Sequence, residues 1–146
     1  MTTENILFSC QVQTTNKDIP LGLRVTLDQE TLFENAHVTD AVQLEHEIPD
    51  VDGDHELIFE LFGKLPEHTK ITETGEITSD AILEINNITL DGIDLDQIVH
   101  SLAVYHHNFN GSQQPVNVKF YGRLGCNGTV TLKFSTPIYL WLLENM

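Results

Sequence analysis

The chain has 146 residues, the size of one ordinary domain built around a single hydrophobic core. Its 22 acidic and seven basic residues give a formal net charge of −15, which repels phosphate backbones and anionic lipid, so we expect no nucleic acid and no membrane among its partners. The start, MTTENILFSC, has neither a basic segment nor a long apolar run. We therefore expect synthesis in a host cytoplasm without a signal peptide.

Alternating apolar and polar residues predict several β-strands in the first half of the chain. The segment ILFSCQVQ places one set of apolar side chains on a single face: Ile6, Phe8, Cys10 and Val12. GLRVTL, with Leu23, Val25 and Leu27 inward, leads through the turn at 28–30 into TLFE, which predicts a hairpin. AVQLEHEI then groups Val42, Leu44, His46 and Ile48, and the next segment groups Leu57, Phe59 and Leu61.

The second half begins with a long connection, KLPEHTKITETGEITSD, in which KIT and EIT flank a turn as a small hairpin. AILEINNITL resumes a strand and ends at the turn dipeptide Asp91-Gly92. The segment DLDQIVHSLAVY predicts one short helix. Its apolar residues Ile98, Leu102 and Tyr105 are spaced at i, i+4 and i+7, and an aspartate before them could cap the helix. VNVKFY and GTVTLKF are the last strands. The whole chain, 1–146, is thus predicted to be one all-β domain, a jelly-roll-like antiparallel β-sandwich.

Three aspartates crowd the segment DVDGDH and suggest a calcium site: Asp50, Asp52 and Asp54. Their spacing is that of the first EF-hand ligands, but the glycine comes too early and the twelfth position is Leu61, which excludes an EF-hand. A tight turn with Asp52-Gly53 at its corner explains the same residues. Both interpretations stay open, and we expect no cofactor to be required, although Ca²⁺ can be bound.

The seven histidines give no zinc pattern, because they are dispersed along the chain and the neighbours His106 and His107 would point to opposite faces of a strand. His46 is instead predicted to be a core histidine with a hydrogen-bond partner. Acidic side chains of the long connection and two tyrosines could form a ligand-binding site, since sugars stack on aromatic rings. These candidates are Glu67, Glu73, Glu76, Asp80, Tyr105 and Tyr121.

The C-terminal segment TPIYLWLLENM is apolar on both faces. A strand buried on both sides would explain this pattern, and so would a tail that docks on another subunit through Ile138, Tyr139 and Trp141. The two cysteines, Cys10 and Cys126, are expected to be free thiols, the alternative being a disulfide between terminal strands.

The runs GLRVTLDQETLFENAHVTDAVQLEHEI, DGDHELIFELFGK and ILEINNITLDGIDL resemble the layout of small calcium-dependent, xylan-binding carbohydrate-binding modules. This resemblance implies a jelly-roll fold and carbohydrate as a ligand. Where that family has an Asn-Asp-type calcium loop, this chain has Phe62-Gly63-Lys64. As a compact acidic β domain with an apolar terminus, the chain also resembles small structural proteins of tailed marine phages.

No serine-nucleophile elbow, phosphate loop or Rossmann glycine pattern occurs, so we expect no enzymatic activity. The predicted function is a structural or accessory virion protein of a tailed phage, a capsid decoration or tail component able to bind surface glycans. Its partners would be virion subunits or copies of itself, and its location the virion. The alternative is a free-standing calcium-dependent carbohydrate-binding module, and the third possibility is a hydrolase or isomerase whose site assembles only in space.

Overall fold

The computed structural model describes residues 5–49, 52–64, 70–71, 73–74, 77–79, 81–107 and 114–145. Within these residues the chain forms thirteen strands and two short helices. The elements in the first part are β1 (Asn5–Thr14), β2 (Leu21–Leu27), β3 (Glu30–Val38), β4 (Val42–Pro49), β5 (Gly53–Phe62), β6 (Lys70–Ile71) and β7 (Ile77–Ser79). The remainder are β8 (Leu83–Leu90), β9 (Ile93–Asp94), α1 (Asp96–Leu102), β10 (Val104–His107), β11 (Val116–Lys119), β12 (Arg123–Leu124), β13 (Gly128–Thr136) and α2 (Ile138–Asn145).

The strands form two main sheets in which neighbours are antiparallel. One sheet has the order β12-β8-β1-β4, with β9 also paired to β8. The other, here called the six-stranded sheet, has the order β11-β10-β13-β5-β2-β3. β6 and β7 pair separately with each other, as the KIT and EIT segments predicted. One hydrophobic core joins the inner faces of both main sheets, so the predicted jelly-roll-like β-sandwich is confirmed.

Two-residue alternation places the predicted side chains in this core. The inward residues of β1, β2 and β5 are all buried, and Cys10, Val12, Leu23 and Val25 have no exposed surface. The edge strand β4 departs from the prediction, because only Ile48 of its apolar face is buried while His46 is half-buried. An edge strand has a neighbour on one side only, and its face is therefore covered less completely.

The helix α1 occurs where it was predicted, but a different face is buried. Leu95, Val99 and Ala103 point into the core, whereas Leu102 is 42% exposed and Tyr105 belongs to β10. The predicted aspartate cap is not formed, because the N-cap residue is Leu95; Asp94, just before it, accepts the N–H of Asp96 through Oδ1 at 2.8 Å. The predicted helix was right, but the predicted buried face was wrong. The apolar residues Leu95, Val99 and Ala103 have helical spacing in the same window, and it is their side that is buried.

The C-terminal segment is not the doubly buried strand considered above. It forms α2, which packs against β13 with Ile138, Trp141 and Leu142 buried. β10 pairs only with residues 128–131 of β13, so α2 lies beside the stretch of β13 that β10 leaves uncovered. A helix can cover such an exposed strand edge as well as another strand can. Neither helix in the described residues is long and apolar enough to cross a bilayer.

Candidate functional site

A groove lies on the outward face of the six-stranded sheet, where β5, β13, β10 and β11 run side by side. Because inward and outward side chains alternate, β13 presents Thr131 and Lys133 to this face while Val130 and Leu132 fill the core. The central cavity has a volume of about 650 Å³ and is lined chiefly by Glu56, Val104, His106, Asn117, Lys133 and Trp141. We call this cavity and these residues the outer groove.

One wall of the outer groove is apolar and comes from the two helices and the first residue of β10. Leu102 closes α1, Val104 opens β10, and both are more than two-fifths exposed at the cavity surface. Trp141 of α2 is held edge-to-face against Phe134, with 6.0 Å between the ring centroids. Asn145 donates a side-chain hydrogen bond to the carbonyl of Trp141 at 2.7 Å and also lines the cavity. This wall is therefore rigid and mostly apolar, with one amide at its end.

The opposite part of the groove carries an oriented histidine. His106 Nδ1 lies 2.6 Å from Asn117 Oδ1 across the β10–β11 pair. An amide oxygen only accepts hydrogen bonds, so Nδ1 carries the proton and Nε2 of the neutral ring keeps a lone pair for a ligand. The result is a hydrogen-bond acceptor whose orientation is fixed before any ligand arrives.

Lys133 and Glu56 face each other directly across the β13–β5 pair. In the part of the chain that the structure describes, neither side chain forms an ion pair, although both line the outer groove. One ammonium with three donors and one carboxylate with two acceptor oxygens are thus adjacent and available.

The neighbouring charges on the same face are already paired. Arg24 binds Glu60 at 2.7 Å and Glu34 at 3.0 Å, and its guanidinium lies 5.3 Å from the centre of the Phe62 ring. The hydrogen bond and charge of Arg24 lower the pKa of Glu34, and the same contact raises the pKa of Arg24. This paired cluster contrasts with Lys133 and Glu56, which keep their hydrogen-bonding capacity for a ligand.

A second cavity of about 520 Å³ adjoins the outer groove and shares Glu56, Lys133 and Trp141 with it. His55 lines this cavity, with its ring stacked on Phe134 at 5.1 Å between centroids. His55 Nδ1 lies 2.7 Å from Asp28 Oδ2, and Nε2 lies 2.9 Å from Thr136 Oγ1. The order carboxylate, imidazole and hydroxyl is that of a catalytic triad, but Thr136 is only 5% exposed and does not line the cavity.

Asp28 itself belongs to a strained turn. Asp28 and Gln29 have φ values of 50° and 73°, the left-handed conformation that a two-residue hairpin turn requires. Asp28 Oδ1 accepts the N–H of Glu56 at 2.8 Å, and Asp28 N–H donates to the carbonyl of Glu56 at 3.0 Å. Burial acts to raise the pKa of Asp28, but the hydrogen bonds from His55 and Glu56 outweigh it, so the pKa is lowered. We call these contacts the Asp28 clamp; they fix the start of β5 beside the groove.

The described residues do not fit a calcium ion. Asp52 and Asp54 are exposed at the start of β5, Gly53 pairs with Thr136 as the first residue of the strand, and Asp50 lies outside the described residues. Among the residues that can be examined, no group of three or more histidine, cysteine, aspartate or glutamate side chains is placed to hold a metal ion. A Ca²⁺ ion takes about six to eight oxygen ligands, so two aspartates alone do not make a site.

Of the predicted ligand-binding residues, the structure describes three: Glu73, Tyr105 and Tyr121. Glu67, Glu76 and Asp80 lie outside the described residues, and Glu73 is exposed in the turn between β6 and β7. Tyr105 is a core residue, 6% exposed, whose hydroxyl donates to the carbonyl of Cys126 and accepts its N–H. Burial raises the pKa of Tyr105 to about 12. Its ring therefore offers no face to a sugar.

Tyr121 is 65% exposed and contacts His100 edge-on at 5.6 Å, so it remains an open aromatic surface outside the cavities described above.

Of the predicted interface residues, Ile138 and Trp141 are buried in the core, while Tyr139 is half-exposed and donates its hydroxyl to Asp91 at 2.7 Å. His106 and His107 point to opposite sides of β10, as the sequence predicted. The groove residues Glu56, His106 and Lys133 were not among the predicted sites, although alternation already marked them as outward.

No disulfide joins the two cysteines, so both are present as thiols. Cys10 is fully buried in β1, and burial raises the pKa of its thiol to about 12. Cys126 is half-buried next to Tyr105. The predicted pair of thiols is thus present, with the two sulfurs in different environments.

Two solved structures similar to this chain are both of vCBM60. One is the selenomethionine form of vCBM60, from work on an evolutionary link between two families of calcium-dependent carbohydrate binding modules. It is 12% identical to this chain, covers 88% of this chain and 89% of that chain, and has a TM-score of 0.49. The other is vCBM60 in complex with galactobiose, 12% identical over 86% of this chain and 95% of that chain, with a TM-score of 0.47. No protein-family model matches the sequence, and no curated protein matches it. The predicted resemblance to calcium-dependent carbohydrate-binding modules is confirmed at this low level of similarity.

Proposed function

We propose that the protein binds carbohydrate without catalysing a reaction, and that the outer groove is its binding site. The observation that carries this proposal is that one cavity of about 650 Å³ combines an apolar wall with Lys133 and Glu56, neither of which forms an ion pair within the described residues. A sugar ring has the matching surface, with apolar C–H faces and hydroxyl groups that both donate and accept. Val104 and Leu102 would contact the ring face, with the buried Trp141 behind them, while the polar side chains bind its hydroxyls.

The polar side chains offer both kinds of hydrogen bond. Lys133 donates, Glu56 accepts, and His106 accepts through Nε2 because Asn117 holds the proton on Nδ1. A hydroxyl bound between Lys133 and Glu56 can accept from the ammonium and donate to the carboxylate at the same time. Hydrogen bonds to charged groups are stronger than neutral ones, so these two residues should contribute most of the polar binding energy.

The triad-like order of Asp28, His55 and Thr136 does not argue for catalysis. A nucleophile must reach its substrate, and the Thr136 hydroxyl lies in the interior, 3.4 Å from the carbonyl of Gly53. Its hydrogen bonds join the start of β5 to the end of β13, which is a structural role. The spatial arrangement therefore supports a binding protein over a hydrolase.

A glycan array followed by calorimetry tests the proposal. We expect binding to at least one neutral glycan, and we expect Lys133→Ala or Glu56→Gln to weaken it about tenfold, the equivalent of one charged hydrogen bond. Lys17→Ala and Glu45→Gln make the same chemical changes away from the groove and should leave the affinity unchanged. Equal losses from the groove variants and their controls, or no glycan bound at all, would contradict the proposal.

The groove requires no metal ion, because protein side chains supply its hydrogen bonds. We expect the same affinity in calcium and in excess EDTA. A large loss in EDTA would move the binding site to the aspartate region at 50–54 and restore the calcium-dependent alternative. This comparison thus separates the outer groove from a calcium-dependent site.

The predicted virion role and the predicted interface at the C-terminus stay predictions. Tyr139, Leu140 and Leu143 are the large apolar side chains that α2 leaves exposed. Sedimentation velocity over a hundredfold range of protein concentration tests self-association. A monomer at all concentrations would contradict assembly through α2.

A further inference from the structure

The outer groove is the middle one of three cavities in a row, whose two ends lie at the start and at the end of β5. The second cavity, described above, adjoins it at the start of the strand, near Asp54. A third cavity of about 360 Å³ adjoins it at the end of the strand, near Gly63, and shares His106 with it. Each cavity thus has lining residues in common with the next.

The row of cavities is much longer than one sugar ring. The lining residues of β5, together with Gly63 directly after the strand, extend from Asp54 to Gly63, which corresponds to about 30 Å at the rise of an extended strand. A single terminal sugar would occupy one cavity and leave two unused. A linear chain of several sugars could contact all three at once.

The charges along the row restrict the chemistry of that chain. At one end, Asp54 and Glu56 present two carboxylates, and among the described residues neither carboxylate has an ion-pair partner. Among the described residues that line the two cavities at this end, the one ammonium is that of Lys133, and the protein as a whole carries a net charge of −15. An anionic glycan would therefore be repelled both locally and over long range.

From these two observations we infer that the three cavities are consecutive subsites for an uncharged linear oligosaccharide, bound along β5. This inference rests on the proposed function and specifies its ligand class. Lys133 is a central contact shared by the first two subsites, and Asp54 is a contact at one end. Shortening the ligand should then remove the contribution of Asp54 before that of Lys133.

Calorimetry with oligosaccharides of one to six units tests the inference, using neutral ladders built from glucose, xylose, mannose or galactose and an oligogalacturonide ladder as the anionic counterpart. We expect affinity for a neutral ladder to rise more than tenfold between one unit and the longest chain. Lys133→Ala should weaken binding at every length, whereas Asp54→Ala should weaken only the longer chains, by about threefold to fivefold. Lys17→Ala is the control, and thermal unfolding confirms that each variant is folded.

Two results would overturn the inference while leaving the proposed function intact. One is affinity that is already maximal with a monosaccharide. The other is stronger binding of the oligogalacturonides than of any neutral ladder. Absence of binding to every ladder and to the parent polysaccharides would instead overturn the proposed function, and the inference with it.

Discussion

The Asp28 clamp predicts that a single charge contributes measurably to stability. In Asp28→Asn, the amide oxygen can still accept the N–H of Glu56, and asparagine tolerates the left-handed φ of 50° at this position. His55 can change tautomer and accept from the new amide, so every neutral hydrogen bond can be kept. The substitution therefore removes the charge of the carboxylate and little else.

The expected size of the effect follows from the exposure of the pair. A hydrogen bond to a charged group contributes about 1.5–3 kcal/mol when well shielded. The Asp28 side chain is 45% exposed and that of His55 is 15% exposed, so solvent screens the pair and we expect about 1 kcal/mol at pH 7. For a chain of this size that corresponds to a fall in Tm of about 2–4 °C.

The pH dependence identifies the source of this energy. The pKa of Asp28 is lower in the folded protein than its ordinary value of about 3.9. The stabilisation is therefore complete above the ordinary pKa and is lost as the pH falls through the lowered one. Urea unfolding of wild type and Asp28→Asn from pH 7 to pH 2.5 should show two curves that converge at the acidic end.

Two comparisons make this prediction decisive. Asp40→Asn changes an exposed aspartate in another turn, where no similar contact is present in the described part of the chain, and it should cost less than half as much. A double-mutant cycle with His55→Gln should assign most of the loss to the Asp28–His55 pair. If the cost of Asp28→Asn stayed constant down to pH 2.5, or matched that of Asp40→Asn, the carboxylate charge would not be its cause.

Three further experiments test separate features of the fold. Gln29→Gly relieves a φ of 73° and should raise the unfolding free energy by about 0.5 kcal/mol, whereas Gln43→Gly in an extended strand should lower it by about the same amount, both measured in urea. Gly128→Ala would place a Cβ 2.2 Å from a carbonyl oxygen of β10 and should lower the free energy of unfolding by about 1–3 kcal/mol. The Cβ of Gly125→Ala meets only ordinary contacts, so a thermal melt should show an unchanged Tm for this variant. Cys126 should react with a thiol reagent in the native protein, whereas the buried Cys10 should react only after unfolding. Mass spectrometry of the labelled peptides measures both rates, and equal rates would contradict the burial of Cys10.

The core of the sandwich could be predicted from the sequence because it depends on a local pattern. Residues such as Phe8, Val25 and Phe59 alternate with polar neighbours, and a strand with one buried face must show that alternation whatever its partners are. The C-terminal segment lacks such a pattern. Six consecutive apolar residues fit a helix or a strand equally well. The stretch of β13 against which α2 packs is left uncovered because β10 pairs only with residues 128–131, and the segment itself carries no information about that pairing.

The outer groove could not be predicted for a related reason. Glu56, His106 and Lys133 come from three strands, and the register that brings them together is set by pairs such as Lys133 opposite Glu56 and His106 opposite Thr129. Alternation identifies each of them as outward but gives no information on its neighbours across the sheet. Nearness in sequence is a poor guide to adjacency in a sandwich, because the strands that lie side by side, such as β5 and β13, come from distant parts of the chain.

The Asp28 clamp and the outer groove meet at Glu56, so stability and binding can be separated by two substitutions of one residue. Asp28→Asn keeps the acceptor for the Glu56 N–H, and we expect it to lower Tm while leaving glycan affinity within about twofold of wild type. Asp28→Gly fits the left-handed φ but removes that acceptor, so the start of β5 loses its anchor and the affinity should fall about fivefold or more. Calorimetry at 15 °C, where both variants are folded, measures the difference. Equal affinities in the two variants would mean that the clamp stabilises the fold without positioning Glu56, because only the second variant frees the strand that carries it.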